Sequence, residues 1–414
     1  MSRSFDIPQF YRSPIISTLK TARMAADPRK KDLTPSLLDF GPLHVWIARN
    51  FGFCFGVENA VEIAYRAISD HPDKRLFMLS EMIHNPQVNN DLRRRGMQFL
   101  RSSMGDQLID FKALSPDDIV VIPAFGTTLE IKEELKELGV DVRTYDTTCP
   151  FVKKVWRRSE KIGEDGYTVI IHGKRLHEES RASFSHANEH APVLVIRDTT
   201  DAEDLAQVIR GEKDRNYFYE RFPECYSEGF DPDKDLARIG VVNQTTMLVT
   251  ETQEVTDILR KATVERYGED GHFVDTSDTL CYATHENQEA AREMLEQDLD
   301  LALVVGGYNS SNTSQIVSLY NSVIPTYFIR GAEEIEDRHR IHHYDYPAMQ
   351  VRTTLKWLPT CRPVSVAITS GASCPDMLVD DVIRKVVAFF DGVSTFEEAL
   401  APYQPENVAI DNEQ

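Results

Sequence analysis

Residues 44–67 read HVWIARNFGFCFGVENAVEIAYRA, which is an apolar run, a glycine-flanked Cys54 and then a helical pattern. The same order of a β-type run, a cysteine and a helix recurs around Cys149 in VDVRTYDTTCPFVKKVW and around Cys281 in FVDTSDTLCYATHENQEAAREML. In an open α/β layer, ligands bind at the carboxyl ends of strands, where loops and helix N-termini share a crevice. The repeated context therefore indicates an α/β fold in which three thiolates could converge on one metal site.

Three unrelated buried cysteines are the alternative, because free cysteine is among the most buried residue types. For one cysteine alone that alternative is preferred, but the context shared by all three favours a metal site. No CxxC pair links them, which disfavours a zinc ribbon or a thioredoxin-like motif. An obvious fourth ligand is also lacking, so an iron–sulfur cluster fits better than structural zinc. A four-iron cluster held by three thiolates leaves one iron open to bind an oxygen.

Short apolar runs alternate with helical stretches along the chain, a pattern typical of parallel sheets with crossover helices. The predicted strands are 45–49, 75–80, 119–124, 168–173, 193–198, 237–243, 301–306, 326–330 and 364–370. The predicted helices are 56–69, 128–138, 150–163, 246–266, 285–297, 312–322 and 376–391. The sequence thus predicts an α/β protein with mainly parallel sheets.

The two intervals between the three cysteines differ in length. Cys149 follows Cys54 by 95 residues, whereas Cys281 follows Cys149 by 132. We assign the surplus to a polar, charge-dense insertion at 211–238, whose aromatic residues indicate an ordered surface excursion. The predicted organisation is an N-terminal extension (1–43), a first α/β domain (44–149), a second with the insertion (150–277), a third (278–392) and a C-terminal tail (393–414).

The composition is that of an ordinary globular protein, with 41% hydrophobic and 27% charged residues. The longest apolar runs are too short to cross a bilayer, and residues 1–24 lack the apolar core of a secretory signal. Six cysteines in 414 residues suit a reducing compartment. The expected location is cytoplasmic, without support for plastid targeting. The net charge of −20 argues against nucleic-acid binding, and it requires local donors for any anionic substrate.

Two segments at predicted strand ends are rich in hydroxyl and amide side chains. GGYNSSNTS (306–314) follows the run LALVV, and SGASCPD (370–376) follows VSVAIT. Glycine lets the backbone approach a ligand closely, and Ser and Asn side chains join helix N–H groups in binding an anion. Each segment alone could be a capped turn, but the pair predicts a phosphate or diphosphate cradle. GxxxxGK[ST] does not occur, so the cradle is not a P-loop.

Further candidate residues stand at other strand ends. His84 follows RLFMLS and His177 follows TVIIHG, and imidazoles can donate to a diphosphate. Glu179 offers a carboxyl suited to proton donation, although a solvated glutamate at a helix start is the commoner case. Thr245 and Thr246 in NQTTM could hold a water or a substrate hydroxyl. An open iron beside a diphosphate pocket and an acid indicates reductive removal of a hydroxyl group from a phosphorylated substrate.

The motifs GFCFGVENAV, HNPQV, PAFG, DTTCPFVKKVW, HGKRLHEE, NQTTM, CYATHENQ, VVGGYNSSNTS and TSGASCPD occur in this order. Together they closely resemble the 4-hydroxy-3-methylbut-2-enyl diphosphate reductase family, in its longer plant and cyanobacterial form, over about residues 44–392. The resemblance implies three similar α/β domains in a pseudo-threefold trefoil around one central 4Fe-4S cluster per chain. It also implies the last step of the methylerythritol phosphate route, in which the substrate hydroxyl binds the open iron. Reductive dehydroxylation of the diphosphate then gives isopentenyl and dimethylallyl diphosphate.

The resemblance further implies roles for individual residues. The cluster ligands would be Cys54, Cys149 and Cys281. Glu179 would deliver protons and Thr245 would lie near the substrate hydroxyl, with His177 also in the catalytic set. The substrate contacts would be His84, His177, Thr245, Ser310, Ser311, Asn312 and Ser373. The implied partner is an electron donor protein, ferredoxin or flavodoxin, with no nucleic acid and no membrane.

Two positions depart from the family pattern. Phe125 in PAFG replaces a diphosphate-contacting histidine of many bacterial members, and Cys374 stands where another small residue is usual. A ligand role for Cys374 is not expected, because three cysteines already complete the pattern. Two alternatives stay open: another open-cluster enzyme such as quinolinate synthase, and a non-enzymatic iron–sulfur sensor, which would need no cradle. We interpret the basic run Arg93–Arg95 as a solvated helix face or, second, as a docking patch for an acidic electron donor.

Overall fold

The computed structural model describes residues 5–268, 271–274, 279–360 and 363–404. Its strands are β1 (Ser36–Asp39), β2 (Leu43–Ile47), β3 (Leu76–Met78), β4 (Met97–Phe99), β5 (Ile119–Val121), β6 (Thr168–His172), β7 (Val193–Ile196), β8 (Ile239–Asn243), β9 (Phe273–Val274), β10 (Leu301–Val305), β11 (Thr326–Ile329), β12 (Ile335–Asp337), β13 (Arg340–Asp345), β14 (Gln350–Leu355) and β15 (Val364–Ser370). Its helices are α1 (Pro14–Ala26), α2 (Phe55–Asp70), α3 (Pro86–Arg94), α4 (Leu129–Glu137), α5 (Pro150–Glu164), α6 (Glu178–Asn188), α7 (Thr199–Arg210), α8 (Arg215–Arg221), α9 (Pro232–Asp235), α10 (Val249–Tyr267), α11 (Tyr282–Met294), α12 (Ser311–Asn321), α13 (Asp376–Val387) and α14 (Phe396–Leu400). Every predicted strand and helix has a counterpart, with ends shifted by a few residues. Within these ranges no helix combines the length and apolar character needed to span a membrane.

The largest sheet formed by the described residues has the strand order β1-β2-β15-β10-β11-β13-β12, with β14 paired to β13. Its neighbours β2, β15, β10 and β11 run parallel. The run LALVV in β10 is buried along its whole length, as expected for a strand covered on both faces. Because β10 and β15 are parallel neighbours, GGYNSSNTS and SGASCPD leave the sheet at the same edge.

Two smaller sheets in the described part of the chain contain only parallel strands, in the orders β4-β3-β5 and β7-β6-β8-β9. β6 and β8 are adjacent and buried throughout. The loops after these two strands, which carry His177 and Thr245, therefore leave from one edge. The predicted α/β architecture with mainly parallel sheets is confirmed.

The chain divides into two compact units, each with its own core. The first contains the residues up to Glu58, His84–Gln87 and those from Ala283 onward, and it holds the largest sheet. The second contains Asn59–Ile83 and Val88–Tyr282, and it holds both smaller sheets.

One strand of the predicted first domain belongs to the same sheet as strands of the predicted third domain. β2 opens the predicted first domain, but it pairs with β15 of the predicted third, with Val45 opposite Val366. The reason is packing, because Val45 and Ile47 are buried in the same core as β10 and β15. The predicted boundary at 277–278 and the tail beyond 404 lie outside the described residues.

The insertion at 211–238 is ordered and contains α8 and α9. Phe218, Phe222 and Phe230 are buried in one hydrophobic cluster with residues of α7 and β8. The rings of Phe218 and Phe230 stack, with centroids 5.3 Å apart. These aromatics anchor the segment to the second unit, which is why a stretch so rich in charge is ordered.

The N-terminal extension packs against the turn that contains Cys54. It includes α1, an element that the sequence did not predict. Phe5 contacts Phe55 edge-on with ring centroids 5.0 Å apart, and the Lys20 ammonium lies 4.6 Å from the centre of the Phe51 ring. Tyr11 contacts Phe53 in the same way at 5.8 Å. The three phenylalanines of the FGFCFG stretch thus each have a partner in the extension.

Candidate functional site

Cys54 lies in the first unit, between β2 and α2. Its backbone N–H donates to the carbonyl oxygen of Ala372 at 3.2 Å, which ties this turn to the SGASCPD loop. Burial raises the pKa of the Cys54 thiol, while the backbone N–H groups of Val57 and Gly56 favour the thiolate. A thiolate here would therefore be held by N–H donors and would gain from a cation that replaces its lost hydration.

Cys149 and Cys281 stand at helix N-termini in the second unit. Cys149 directly precedes α5, and its N–H donates to the carbonyl of Ala124 at 2.9 Å. Cys281 directly precedes α11 and is buried, and its N–H donates to the carbonyl of Thr245 at 3.2 Å. Each cysteine is thereby fixed to a loop that carries another candidate residue, Phe125 in one case and Thr245 in the other.

The chemistry of these donors fits an iron–sulfur cluster. Cys54, Cys149 and Cys281 form no disulfide, and each directly precedes a helix, where N–H groups and the helix dipole stabilise negative charge. Cys225 packs instead against the aromatic cluster of the insertion. Burial raises the pKa of Cys374 to about 12, so this thiol stays protonated at neutral pH. Cys361 lies outside the described residues.

Glu179 and Thr245 form a buried pair. Glu179 in the first turn of α6 is 1% exposed and Thr245 is 5% exposed. The backbone N–H of Thr245 donates to Glu179 Oε1 at 2.5 Å, and the Thr245 hydroxyl donates to Oε2 at 3.0 Å. The interpretation of Glu179 as a solvated glutamate is therefore wrong. Since the Thr245 carbonyl also binds Cys281, the acid is coupled through one residue to a candidate cluster ligand.

His177 is the residue before α6, and its orientation is set by the backbone. The N–H of Glu179 donates to His177 Nδ1 at 3.2 Å. A neutral His177 therefore carries its proton on Nε2, which can donate to an anion. Phe125 packs edge-on against this imidazole with ring centroids 5.7 Å apart. Phe125 thus supports the ring of His177 and donates no hydrogen bond of its own.

Gln244 holds the loops of this site together, a role that the sequence did not reveal. Its Oε1 accepts from the backbone N–H of Lys174 at 3.0 Å and from the Ser180 hydroxyl at 3.1 Å. Its side-chain NH₂ donates to the hydroxyl of Thr246 at 2.8 Å. Thr246 is therefore one of the residues that Gln244 ties together, whereas Thr245 forms hydrogen bonds with Glu179.

The cradle predicted from GGYNSSNTS lies at the N-terminus of α12 in the first unit. Ser310 precedes the helix, and its Oγ accepts from the N–H of Thr313 at 3.3 Å. Asn312 Oδ1 accepts from the N–H of Ala372 at 2.8 Å, which joins the two predicted segments. Ser311 Oγ is buried and has no hydrogen-bond partner among the described residues. A buried hydroxyl of this kind at a helix N-terminus is suited to bind an anion.

His84 and Ser373 complete the cradle within the same unit. The Ser373 hydroxyl donates to the carbonyl of His84 at 3.3 Å and lies 3.4 Å from Ser310 Oγ. The side-chain amide nitrogen of Asn309 lies 3.0 Å from His84 Nδ1. Because an amide NH₂ only donates, Nδ1 accepts and a neutral His84 carries its proton on Nε2. Asn309 was missed, although it stands in the quoted motif.

Two glycines make this close packing possible. A side chain at Gly307 would collide with the carbonyl oxygen of His84, and one at Gly371 with the hydroxyl of Thr313. The glycines of GGYNSSNTS and SGASCPD therefore permit close packing within the protein, and the approach of their backbone to a ligand stays a prediction.

The fold and the candidate site define a class of mainly parallel α/β proteins with cysteines at strand–helix turns and hydroxyl and amide groups gathered at a helix N-terminus. The family model described as LytB protein matches residues 45–387. The chain belongs to the LytB family, and this membership implies an iron–sulfur cluster.

Relatives from cyanobacteria are similar over most of their length. A 4-hydroxy-3-methylbut-2-enyl diphosphate reductase of Picosynechococcus is 40% identical over 352 residues, which are 84% of this chain and 85% of the relative. A protein of the same name from Prochlorococcus marinus is 37% identical over 390 residues, 92% of this chain and 96% of the relative. Neither of these two relatives is named as a quinolinate synthase or as an iron–sulfur sensor, the two alternative functions considered from the sequence.

Two solved structures share the fold. One is described as (E)-4-hydroxy-3-methyl-but-2-enyl diphosphate reductase, with a TM-score of 0.50, 24% identity and coverage of 82% of this chain and 97% of the other. The second is the E-1-hydroxy-2-methyl-but-2-enyl-4-diphosphate reductase of Plasmodium falciparum, with a TM-score of 0.60, 19% identity and coverage of 83% and 87%.

Proposed function

We propose that this chain reduces 4-hydroxy-3-methylbut-2-enyl diphosphate to isopentenyl and dimethylallyl diphosphate. The reaction breaks the bond between carbon and the hydroxyl oxygen, consumes two electrons and two protons, and releases water. The observation that carries the proposal is the buried Glu179–Thr245 pair bound to Cys281, in a chain whose relatives bear the name of this reductase.

Cys54, Cys149 and Cys281 would hold one 4Fe-4S cluster per chain. When bound, such a cluster supplies a Lewis-acidic iron and passes electrons one at a time. The placement of all three thiols at helix N-termini supports this assignment, because the N–H groups there offset the negative charge of thiolates. The electrons would come from a ferredoxin or a flavodoxin.

The diphosphate would be bound by Ser310, Ser311, Asn312, Ser373, His84 and His177. These donors are hydroxyl, amide and imidazole groups, most of them buried. In a chain of net charge −20 such local donors bind an anion without a basic surface. The unpartnered hydroxyl of Ser311 supports this assignment most directly.

Glu179 would deliver protons through Thr245 to the substrate hydroxyl. When Glu179 is protonated, Oε2 donates to Thr245 Oγ, whose own proton is then free to move to the oxygen that leaves as water. The 3.0 Å bond between Oε2 and the Thr245 hydroxyl supports this route. The second bond, from the Thr245 N–H to Oε1, keeps the carboxyl in place while the proton moves.

The test is Glu179→Gln in the holoenzyme. Loss of a positioned proton donor lowers a rate by roughly 10²–10⁴-fold, so we expect kcat to fall by that factor while substrate binding is kept. Glu178→Gln is the matched control, because Glu178 is the adjacent glutamate and is also buried. The proposed role is wrong if Glu179→Gln turns over at a rate close to that of the wild type.

A further inference from the structure

We propose that the outward face of α5 is the docking surface for an acidic one-electron carrier protein. The inference rests on the proposed function and deepens it, because it assigns the side from which electrons enter. We call this surface the α5 basic face. It consists of Lys153, Lys154, Arg157, Arg158 and Lys161.

The α5 basic face follows from helical geometry. Its five cations recur at intervals of one and three or four residues, so they lie on one side of the helix. The opposite side is buried through Val152, Val155, Trp156, Ser159 and Ile162. Of the five cations, Arg157 and Lys161 are exposed, whereas Lys153, Lys154 and Arg158 are half-buried.

A groove of about 310 Å³ lies at one edge of this face, between α5 and α6. It is lined by Lys153, Trp156, Arg157, Glu160, His186 and His190. The ring of His186 stacks on Trp156 with centroids 3.7 Å apart, and the Lys132 ammonium lies 5.1 Å from the centre of the indole. Burial lowers the pKa of His186 to about 4, so it adds no charge at neutral pH. The groove therefore has an aromatic wall with cations around it.

Acidic residues near the face reduce its charge, including Glu164, which lies 3.9 Å from the Lys161 ammonium. Glu160 lines the groove, and Asp146 lies 3.3 Å from the Lys153 ammonium. Lys161 is paired with Asp165 at 3.0 Å, at the far end of the helix. Arg157 is exposed at the groove, so positive charge remains where a partner would bind.

The face begins directly beside a candidate cluster ligand. The N–H of Lys153 donates to the carbonyl of Cys149 at 3.1 Å. At 1.5 Å per residue, Lys153 and Arg157 lie about 6–12 Å from Cys149 along the helix axis. Phe151 in the first turn packs on the exposed ring of Tyr282, which follows Cys281, with centroids 5.0 Å apart. Exposed tyrosines are common anchors of protein interfaces.

Charge complementarity identifies the partner. In a chain of net charge −20, a local cationic groove attracts an acidic protein and orients it. Complexes that transfer electrons are typically small and transient, so a single helix face with a groove is sufficient. Each docking event would oxidise one carrier by one electron and reduce the cluster by one, and two events supply the two electrons of the reaction.

The test is the double variant Lys153→Glu/Arg157→Glu of the holoenzyme, supplied with a reduced, acidic plant-type ferredoxin. We expect kcat/KM for the ferredoxin to fall roughly tenfold or more, and its dependence on salt to weaken. The rate with dithionite-reduced methyl viologen, a small cation, should not fall. Arg157→Glu alone repeats the test if the double variant is unstable, because Arg157 is exposed.

Arg93→Glu/Arg94→Glu is the matched control, because it reverses two charges on the second basic run, at the exposed end of α3. It should keep the ferredoxin-driven rate. The proposal is overturned by an unchanged kcat/KM in the α5 variants, by equal losses with ferredoxin and viologen, or by a larger loss in the α3 variant. Loss of binding to RNA or to anionic vesicles with the ferredoxin rate unchanged also overturns it. If the wild type does not reduce the diphosphate even with viologen, the proposed function is wrong. The affinity of the same variants for ferredoxin, measured by titration, still tests the docking surface.

Discussion

The cysteines of this chain have different surroundings, so serine variants at different cysteines should differ in iron content and activity. Replacing Cys54, Cys149 or Cys281 with Ser should remove much of the iron and nearly all activity, because a hydroxyl is a poor substitute for a thiolate ligand. Cys225→Ser is the control, since that residue packs in the insertion core. Iron and sulfide counts after anaerobic purification measure the effect. If Cys225→Ser loses iron as completely as Cys149→Ser, the ligand assignment is wrong.

The cradle residues should affect substrate affinity and leave the cluster intact. A hydrogen bond to a charged group contributes roughly 1.5–3 kcal/mol, so Asn312→Ala and His84→Ala should each raise the substrate Kd by about one or two powers of ten. Phe125 donates no bond, which makes each remaining contact more important. Anaerobic calorimetry measures the Kd. Substitution of Arg93–Arg95 should not change it, and the reverse pattern would mean that the anion binds elsewhere.

The sequence named the candidate residues of the site but not the contacts that hold each of them. Glu179 and Thr245 could be named from their motifs, because each follows a recognisable apolar strand. Their direct contact depends on the adjacency of β6 and β8, which are far apart in the chain. The proton positions of His84 and His177 likewise depend on Asn309 and on a backbone N–H, partners that periodicity does not reveal.

Among the elements, buried parallel strands were the most predictable. LALVV in β10 and the VII segment of β6 are continuous apolar runs because both sheet faces are covered. The hairpin β13–β14 was missed because its strands are mostly polar, with β13 half-buried and β14 largely exposed, so they lack an apolar period. Helix α6 was missed because its buried side consists of Ser, Ala and Glu rather than large apolar residues.

The insertion should stabilise the fold of the second unit without contributing to the site. Phe218 is fully buried, and Phe218→Ala should lower the free energy of unfolding by roughly 3–5 kcal/mol, because it leaves a cavity among stacked aromatics. The midpoint of thermal unfolding should fall, while the iron content of the folded protein stays the same. Phe10→Ala is the control, since Phe10 is 45% exposed and its loss should have a much smaller effect. Equal shifts in the two variants would contradict the packing described for the insertion.

Across the whole molecule, buried histidine makes stability depend on pH. His172 is fully buried at the end of β6, and burial lowers its pKa from 6.5 to about 4. Between these values the unfolded chain binds more protons than the folded chain, so stability decreases as pH falls from about 6.5 towards 4.

At pH 5 this contribution amounts to about 2 kcal/mol relative to pH 7. His172→Gln removes the titrating group, so its stability should decrease less than that of the wild type between these two pH values. Thermal unfolding of both proteins at each pH measures the difference. An identical pH dependence in the two proteins would show that His172 does not carry the effect.

The hydrogen bond between the Cys54 N–H and the Ala372 carbonyl also determines when the turn around Cys54 can form during synthesis of the chain. Ala372 follows Cys54 by 318 residues, and β15, the neighbour of β2, is made at almost the same late stage. At about 5–20 residues per second, the ribosome needs roughly 15–60 s to supply these partners after it has added Cys54. During that interval the cysteine is part of an unfinished turn on a nascent chain. With Cys54 as a proposed cluster ligand, we expect iron and sulfide to be loaded only when translation is nearly complete, and a chain truncated before residue 372 should be made without acquiring iron.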